Sequence, residues 1–365
     1  MDTTLPASPT DVLALRAGSD VLVVTGSFGA GHNAAAHEVR VRMEALGHRV
    51  STVDVVDVMS AGHLLQRSYL TQMRSVPRVW GVLLSALRRW PALRAAIAWV
   101  LALACRRLDA EVTDRDLVIC THPFAGQALG RLRRRGRMSA TVATYLTDAS
   151  VHPLWVHPGV DTHLTWNPAA AAAVVALGGR AQVVRPLVPA VYDEVGPDRD
   201  AVRRRLGLAP AQPYALVVGG SEGIGQLRET ALDLLGTGLT PVVVCGRAEA
   251  LRERISGEPG VVALGWRDDL PDLIRAADLV VQNAGGFTCL EALAAGVPVV
   301  TYRSIPGHGE DNSGALAAAG LVPWAHDELE FWTLVDAAHH GRFPHPLPLR
   351  APRLVDLVEE PCLVA

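Results

Sequence analysis

The chain twice opens a run of short apolar segments in the same way: Val21–Thr25 enters the glycine-rich turn Gly26–Gly31, and Tyr214–Val218 enters Gly219–Gly225. Uninterrupted apolar strands that alternate with helical stretches belong to parallel sheets covered by helices on both faces. The first series of predicted strands is Val21–Thr25, Val50–Val55, Leu117–Cys120, Thr141–Leu146, Thr162–Thr165 and Gln182–Val184. The second is Tyr214–Val218, Pro241–Cys245, Val261–Gly265, Leu279–Val281 and Val297–Tyr302. Between them, Pro186–Pro213 holds several prolines and the charged stretch Asp193–Arg205, which reads as a linker and then a helix. A chain of 365 residues exceeds the usual single domain. The expected architecture is therefore α/β: two Rossmann-like parallel-sheet domains facing across a cleft, residues 1–188 and 189–345, with a tail at 346–365.

Composition narrows the function classes. A hydrophobic fraction of 49% supplies two cores, and a net charge of -3 gives no global field that would favour nucleic acid. All 34 basic side chains are arginine, so Schiff-base chemistry on lysine is excluded. The five cysteines are scattered without paired spacing, which suits reduced, buried thiols and a cytoplasmic setting. Met1–Asp20 has no basic head before an apolar core and does not read as a signal peptide.

Loops that follow parallel strands line the ligand crevice, so their polar residues are the candidate site. After the first strand, a helix is predicted from about Asn33 with His32 at its N-terminus. The positive dipole end favours the neutral imidazole that a general base requires; a helix-capping role is the alternative. Gly29 and Gly31 let an acceptor and a diphosphate approach the backbone. They resemble a dinucleotide turn only loosely, because the third glycine of Gly-x-Gly-x-x-Gly is missing, although Asp54 could be the ribose acid of such a site. Further on, Asp148, His152 and His122 follow predicted strands and are expected to face the cleft, Asp148 as a catalytic residue beside His32, with a structural turn as the alternative for His122-Pro123.

In the second series, Leu279–Val281 runs through Gly285 and Gly286 into a helix predicted over Phe287–Ala295, stopped by Gly296 and Pro298. Free amides at such a start attract an anion by about 0.3–2 kcal/mol. Thr288 adds a hydroxyl donor, and Glu291, one turn further, is placed to accept two hydrogen bonds from a ribose diol. Gly220, Ser221 and Gly223 offer a second nest of amides, Arg247 ends another strand, and His308, Glu310, Asp311 and Asn312 form a polar loop suited to sugar hydroxyls. No histidine or carboxylate spacing suits a metal; Arg267-Asp268-Asp269 reads as a solvated loop.

One segment breaks the α/β alternation. Val58–Leu108 contains no acidic residue, while Arg78, Arg88, Arg89 and Arg94 are interleaved with Trp80, Trp90 and Trp99. Its longest uncharged apolar run, Ala95–Cys105, is far short of the roughly 20 residues that span a bilayer. Cationic, tryptophan-bearing helices of this kind lie in the headgroup layer of an anionic membrane.

The succession Gly26-Ser-Phe-Gly-Ala-Gly-His32, His122-Pro-Phe124, Thr147-Asp148, His152-Pro-Leu-Trp-Val-His157-Pro-Gly-Val-Asp161, Gly219–Gly225, Cys245-Gly-Arg247 and Asn283-Ala-Gly-Gly286 with Glu291–Pro298 resembles the monogalactosyldiacylglycerol synthase and processive diacylglycerol glucosyltransferase family. The resemblance covers roughly Val21–Ala325; that family is related to the N-acetylglucosaminyltransferase that forms lipid II. It implies a GT-B fold and inverting transfer of a hexose from a UDP-sugar to a lipid hydroxyl, most simply diacylglycerol, with no cofactor and no metal. It also implies His32 as the base, Glu291 on the ribose, Gly285, Gly286 and Thr288 on the diphosphate, and His308–Asn312 near the donor sugar. The expected partners are a UDP-sugar, a lipid acceptor and an anionic membrane surface at the inner face of the cell membrane, and no nucleic acid. Two departures stand out: His308-Gly309 where the family usually has Gln-Glu, and Asn283-Ala284 where Lys or Pro often precedes the glycines. Other readings are a soluble transferase acting on a small natural product, a nucleotide-sugar epimerase, and a non-catalytic UDP-sugar-binding or membrane-recruiting partner.

Overall fold

A computed structural model describes residues 13–76, 78–343 and 351–358, without the side chains of Arg74, Trp80 and Asp193. The first sheet contains β1 (Asp20–Thr25), β2 (Arg49–Asp54), β3 (Leu117–Cys120), β4 (Thr141–Tyr145), β5 (Thr162–Thr165) and β6 (Ala181–Val183) in the order β2-β1-β3-β4-β5-β6. The second contains β7 (Tyr214–Val218), β8 (Thr240–Val244), β9 (Val262–Leu264), β10 (Leu279–Gln282), β11 (Val299–Tyr302) and β12 (Trp324–Ala325) in the order β12-β11-β10-β7-β8-β9. Every pairing is parallel. All the predicted strands are present; only the short β12 was not foreseen.

Central strands are buried throughout, as their continuous apolar sequences require. Helix Ala30–Ala45 covers the first sheet with Ala35, Val39 and Met43, a spacing of four that keeps them on one face. Full burial of Val39 and Met43 contributes about 1.5–3 kcal/mol each. The helix ends at Leu46, and Gly47 takes a left-handed φ of 81°. One apolar cluster joins the facing sides of the two sheets, including Val39, Tyr145, Tyr214 and Leu290, and separate clusters back each sheet. The described part of the C-terminal stretch is not a detached tail. Its helix Leu354–Val358 packs into the shared cluster, and the Leu15 and Arg185 amides donate to the carbonyls of Val358 and Pro352.

The acid-free segment folds as three helices, Gly62–Ser75, Arg78–Arg89 and Pro91–Ala104. Leu84, Leu87 and Leu101 face the first domain's core, while Leu64, Val79, Val82, Trp90, Trp99 and Val100 are exposed. No helix among the described residues is long and apolar enough to cross a membrane. The four described cysteines are free and buried; Cys362 lies outside the described residues.

Candidate active site

Each sheet reverses its winding direction once, between β1 and β3 and between β7 and β10. Loops diverge at such points and leave a crevice, and the two crevices open into one cavity of about 430 Å³. Its walls include Gly29, Gly31, His32, Thr147 and Asp148 from the first domain, and Gly220, Ser221, Gly286, Thr288, Glu291, His308 and Asn312 from the second.

Helix Ala30–Ala45 starts three residues before the predicted Asn33, because Gly29 takes an extended N-cap conformation. His32 therefore sits in the first turn. Its Nδ1 lies 2.7 Å from the Thr121 carbonyl oxygen, with Thr147 Oγ1 at 3.1 Å. A carbonyl only accepts, so Nδ1 carries the hydrogen and Nε2 of the neutral ring holds the lone pair. Burial lowers the imidazole pKa, with the Asp148 charge acting in the opposite direction. The ring is thus neutral at pH 7 and has the tautomer a base requires. Gly31 fits because a Cβ there would lie 3.3 Å from Phe287 Cβ, at the start of the second domain's helix Phe287–Ala294.

The two domains meet directly at Asp148. Its carboxylate accepts from Trp155 Nε1 at 3.0 Å and lies 3.2 Å from His308 Nε2 across the cleft. Burial alone would raise the Asp148 pKa; the His308 charge and hydrogen bond outweigh that and hold it well below the usual range. Reciprocally, His308 titrates above its ordinary value: burial opposes this, but Asp148 and then Asp311 favour the cation. Asn312, one turn along helix His308–Ala318, accepts from the Ser150 amide at 2.9 Å and hydroxyl at 2.7 Å and donates to the Ala284 carbonyl at 3.2 Å.

On the second domain, Gln282 Oε1 accepts from the amides of Ala284, at 2.8 Å, and Gly285, while its Nε2 donates to Thr301 Oγ1. Those two amides are therefore occupied within the turn. The helix N-terminus at Gly286, Phe287 and Thr288 has no side-chain cap, and it faces the cavity. Gly285 takes a φ of 66° beneath the turn, against Asn312. Asn283 ties the site loops together: its Nδ2 donates to the Ile224 carbonyl at 2.8 Å, and its own carbonyl accepts from the Ile305 amide at 2.8 Å. Glu291 is buried, receives the Tyr192 hydroxyl at 3.4 Å, and is raised to about 7 by burial. Trp266, 48% exposed, adds a flat aromatic wall.

Several expectations are corrected. His122 does not face the cavity: it is 3% exposed, stacks on Phe28 with centroids 4.9 Å apart, and accepts from the Phe124 amide at 3.3 Å as a helix cap. His152 is buried behind His308, with ring centroids 6.2 Å apart, and burial takes it down to about 3. Gly223 packs under its loop against the Cys245 carbonyl, and Arg247 stacks over Trp266 at 4.3 Å; neither lines the cavity. Glu310 accepts from the Gly307 amide at 2.9 Å as a helix cap. Asp311 pairs with Arg88 at 2.7 Å, so both Asp311 as a donor-sugar ligand and Arg88 as a lipid-facing cation are replaced by an interdomain ion pair. The Trp80 side chain lies outside the described residues. Asp54 accepts from the Ser27 and Val56 amides, which removes it as the ribose acid of a dinucleotide site. Asp269 is bound by Arg267 at 2.6 Å.

Two family models match the chain in turn: Monogalactosyldiacylglycerol (MGDG) synthase over residues 32–187 and Glycosyl transferases group 1 over residues 220–327. Processive diacylglycerol beta-glucosyltransferases of Bacillus cereus (strain G9842) and Bacillus thuringiensis (strain Al Hakam) are each 24% identical over 333 residues, covering 87% of this chain and 84% of theirs. Among solved structures, TcCGT1 in complex with UDP aligns with a TM-score of 0.56 at 14% identity, over 89% of this chain and 92% of that one. MurG of Acinetobacter baumannii aligns with a TM-score of 0.52 at 15% identity, over 93% and 99%. The two facing parallel sheets are a GT-B fold, and the protein is a glycosyltransferase. Over most of its length it is similar to the monogalactosyldiacylglycerol synthase and processive diacylglycerol glucosyltransferase family.

Proposed function

We propose that the protein transfers a hexose from a UDP-sugar to a lipid hydroxyl, with diacylglycerol as acceptor, inverting the anomeric carbon without a metal or cofactor. The observation that carries this reading is the cavity in which His32, with Nδ1 bound to Thr121, faces an uncapped helix N-terminus followed one turn later by Glu291. The diphosphate fits at Gly286–Thr288, where amides and the helix dipole favour an anion, and Glu291 takes the ribose diol. Nε2 of His32 removes the acceptor proton as the hydroxyl attacks the anomeric carbon, and the helix amides stabilise the departing UDP.

The lipid acceptor is supported by what surrounds the base. Helix Gly62–Ser75 of the arginine-tryptophan segment lends Tyr69, Leu70 and Met73 to the cavity wall. Its neighbours expose Trp90, Trp99 and Val82 together with Arg78 and Arg89. Such a surface suits peripheral attachment to an anionic membrane beside the acceptor entrance, and the curated relatives are named for transfer to diacylglycerol. The test is incubation with a panel of UDP-sugars and mixed-lipid vesicles, followed by product mass. A hexosylated diacylglycerol is expected; product only on water-soluble acceptors, with no binding to anionic vesicles, overturns the lipid reading.

A further inference from the structure

His308 is the second histidine of the cavity, and the first residue of helix His308–Ala318. It stands against the proposed diphosphate turn: a Cβ on the next residue, Gly309, would lie 3.0 Å from the Asn283 carbonyl oxygen and 3.6 Å from Ala284 Cα. Nε2 faces Asp148 at 3.2 Å, while Nδ1 is enclosed with no hydrogen-bond partner. An enclosed imidazole nitrogen without a partner is an unfilled bonding position. Elsewhere in the cavity wall the cations are scarce, for the chain has no lysine, and Arg267 is bound by Asp269.

We propose that His308, as an imidazolium held by Asp148 across the cleft, is a catalytic residue that donates from Nδ1 to the diphosphate as it leaves. The inference rests on the UDP-sugar reading of the cavity. In the step, the bond from the anomeric carbon to the β-phosphate oxygen breaks and its electron pair stays on that oxygen. The acceptor oxygen bonds to the anomeric carbon, and its proton passes to His32. His308 transfers no proton; it supplies positive charge where negative charge develops. Because Asp148 belongs to the first domain and His308 to the second, that charge is secured only when the domains are closed.

The charged and titratable groups around His308 are Asp148, His32 and His152 of the first domain, Arg88 of helix Arg78–Arg89, and Asp311 on its own helix. Their balance raises the pKa of His308, while burial lowers that of His32. Two groups of one type driven apart in this way fit opposite duties, a neutral base and a cationic stabiliser. Turnover then rises as His32 loses its proton below pH 6.5 and falls as His308 loses its own above it.

The experiment measures UDP release from UDP-glucose and UDP-galactose, with and without lipid vesicles, by the full chain and by His308→Gln and Asp148→Asn. Glutamine keeps a donor for Asp148 but carries no charge. His308→Gln is expected to lower kcat roughly 100-fold, leave KM for the UDP-sugar within about threefold, weaken binding of free UDP, and abolish the alkaline limb of the pH profile. Asp148→Asn is expected to move that limb to lower pH. Equal UDP release by wild type and His308→Gln, or an alkaline limb unchanged in that variant, overturns the proposal. A wrong lipid assignment shows itself differently, as UDP release that yields no lipid product in wild type.

Discussion

Gln282 allows stability and donor binding to be separated with two substitutions. Its side chain is 4% exposed, Oε1 takes the amides of Ala284 and Gly285, and Nε2 holds Thr301. Gln282→Leu strands both amides; each buried donor without an acceptor costs about 1–3 kcal/mol, so the expected loss is about 2–6 kcal/mol. Gln282→Glu keeps an acceptor for both amides, and the Thr301 hydroxyl turns to donate, so the fold is retained. It also places a fixed negative charge under the turn. Two unit charges about 6 Å apart at an effective dielectric of about 20 repel by about 3 kcal/mol, which weakens UDP binding roughly 100-fold. Thermal unfolding and calorimetric titration with UDP and with uridine read the two effects. The Leu variant should melt early, whereas the Glu variant should melt near wild type, bind uridine normally and bind UDP poorly. A Glu variant that binds UDP within threefold of wild type refutes the placement of the diphosphate at Gly286–Thr288.

Three further outcomes are expected. His32→Ala should lower turnover by about 10²–10⁴-fold with UDP binding intact; near-normal turnover would remove His32 as the base. Glu291 ionises near 4.5 when unfolded and near 7 in the folded protein, chiefly through burial, so folding holds a proton between those values and wild-type stability should fall as pH rises through that window. Glu291→Gln should abolish that pH dependence, stabilise the unliganded protein at pH 8 by up to about 3 kcal/mol, and weaken UDP binding by roughly tenfold; equal melting of variant and wild type at pH 8 counts against this account. Replacing Trp90 and Trp99 together by alanine should cut flotation with anionic vesicles while leaving UDP affinity unchanged, and undiminished flotation would show that another surface meets the lipid.

The strands were legible because parallel strands buried on both faces leave unbroken apolar runs. β12 was not, since two residues carry no period. The site was half legible for a related reason. Pro306–Asn312 was read as a loop, and a loop gives no rule for which polar residues turn inward. The segment is the start of a helix, and its period separates His308 and Asn312, which face the cavity, from Glu310 and Asp311, which do not. Applying the helical period at Gly307 would have made that division. No local pattern marks Gln282, Tyr192 or Trp266, whose duties depend on partners brought in by the tertiary fold. The acid-free segment reads as helices lying on an anionic membrane, and it folds as helices with exposed apolar and basic side chains; Arg88 is not separable from its neighbours in sequence, because its partner Asp311 lies 223 residues away.

The two departures from the family's usual pattern explain one another. A proline before the glycine pair brings no amide hydrogen, whereas Ala284 has one that must be satisfied in a buried turn, and Gln282 satisfies it. Asn283, where a lysine is frequent, spends its side chain on the Ile224 carbonyl and so contributes no charge to the diphosphate. Its carbonyl stands 3.0 Å from where a Cβ of residue 309 would be, and Ile305 Cβ stands at 2.9 Å, so Gly309 suits that close approach whereas a glutamate would have to displace it. With a neutral residue at 283 and no side chain at 309, the charge from this edge of the cavity falls to His308, which Asp148 holds from the other domain. The same helix brings Asn312 to Ser150 and Asp311 to Arg88, so the contacts that place that charge also bind the domains together. Restoring the usual residues singly, Asn283→Lys or Gly309→Glu, should therefore impair turnover rather than improve it, and only exchange of both segments together should recover it. A single reversion that raises kcat would show the two departures to be independent.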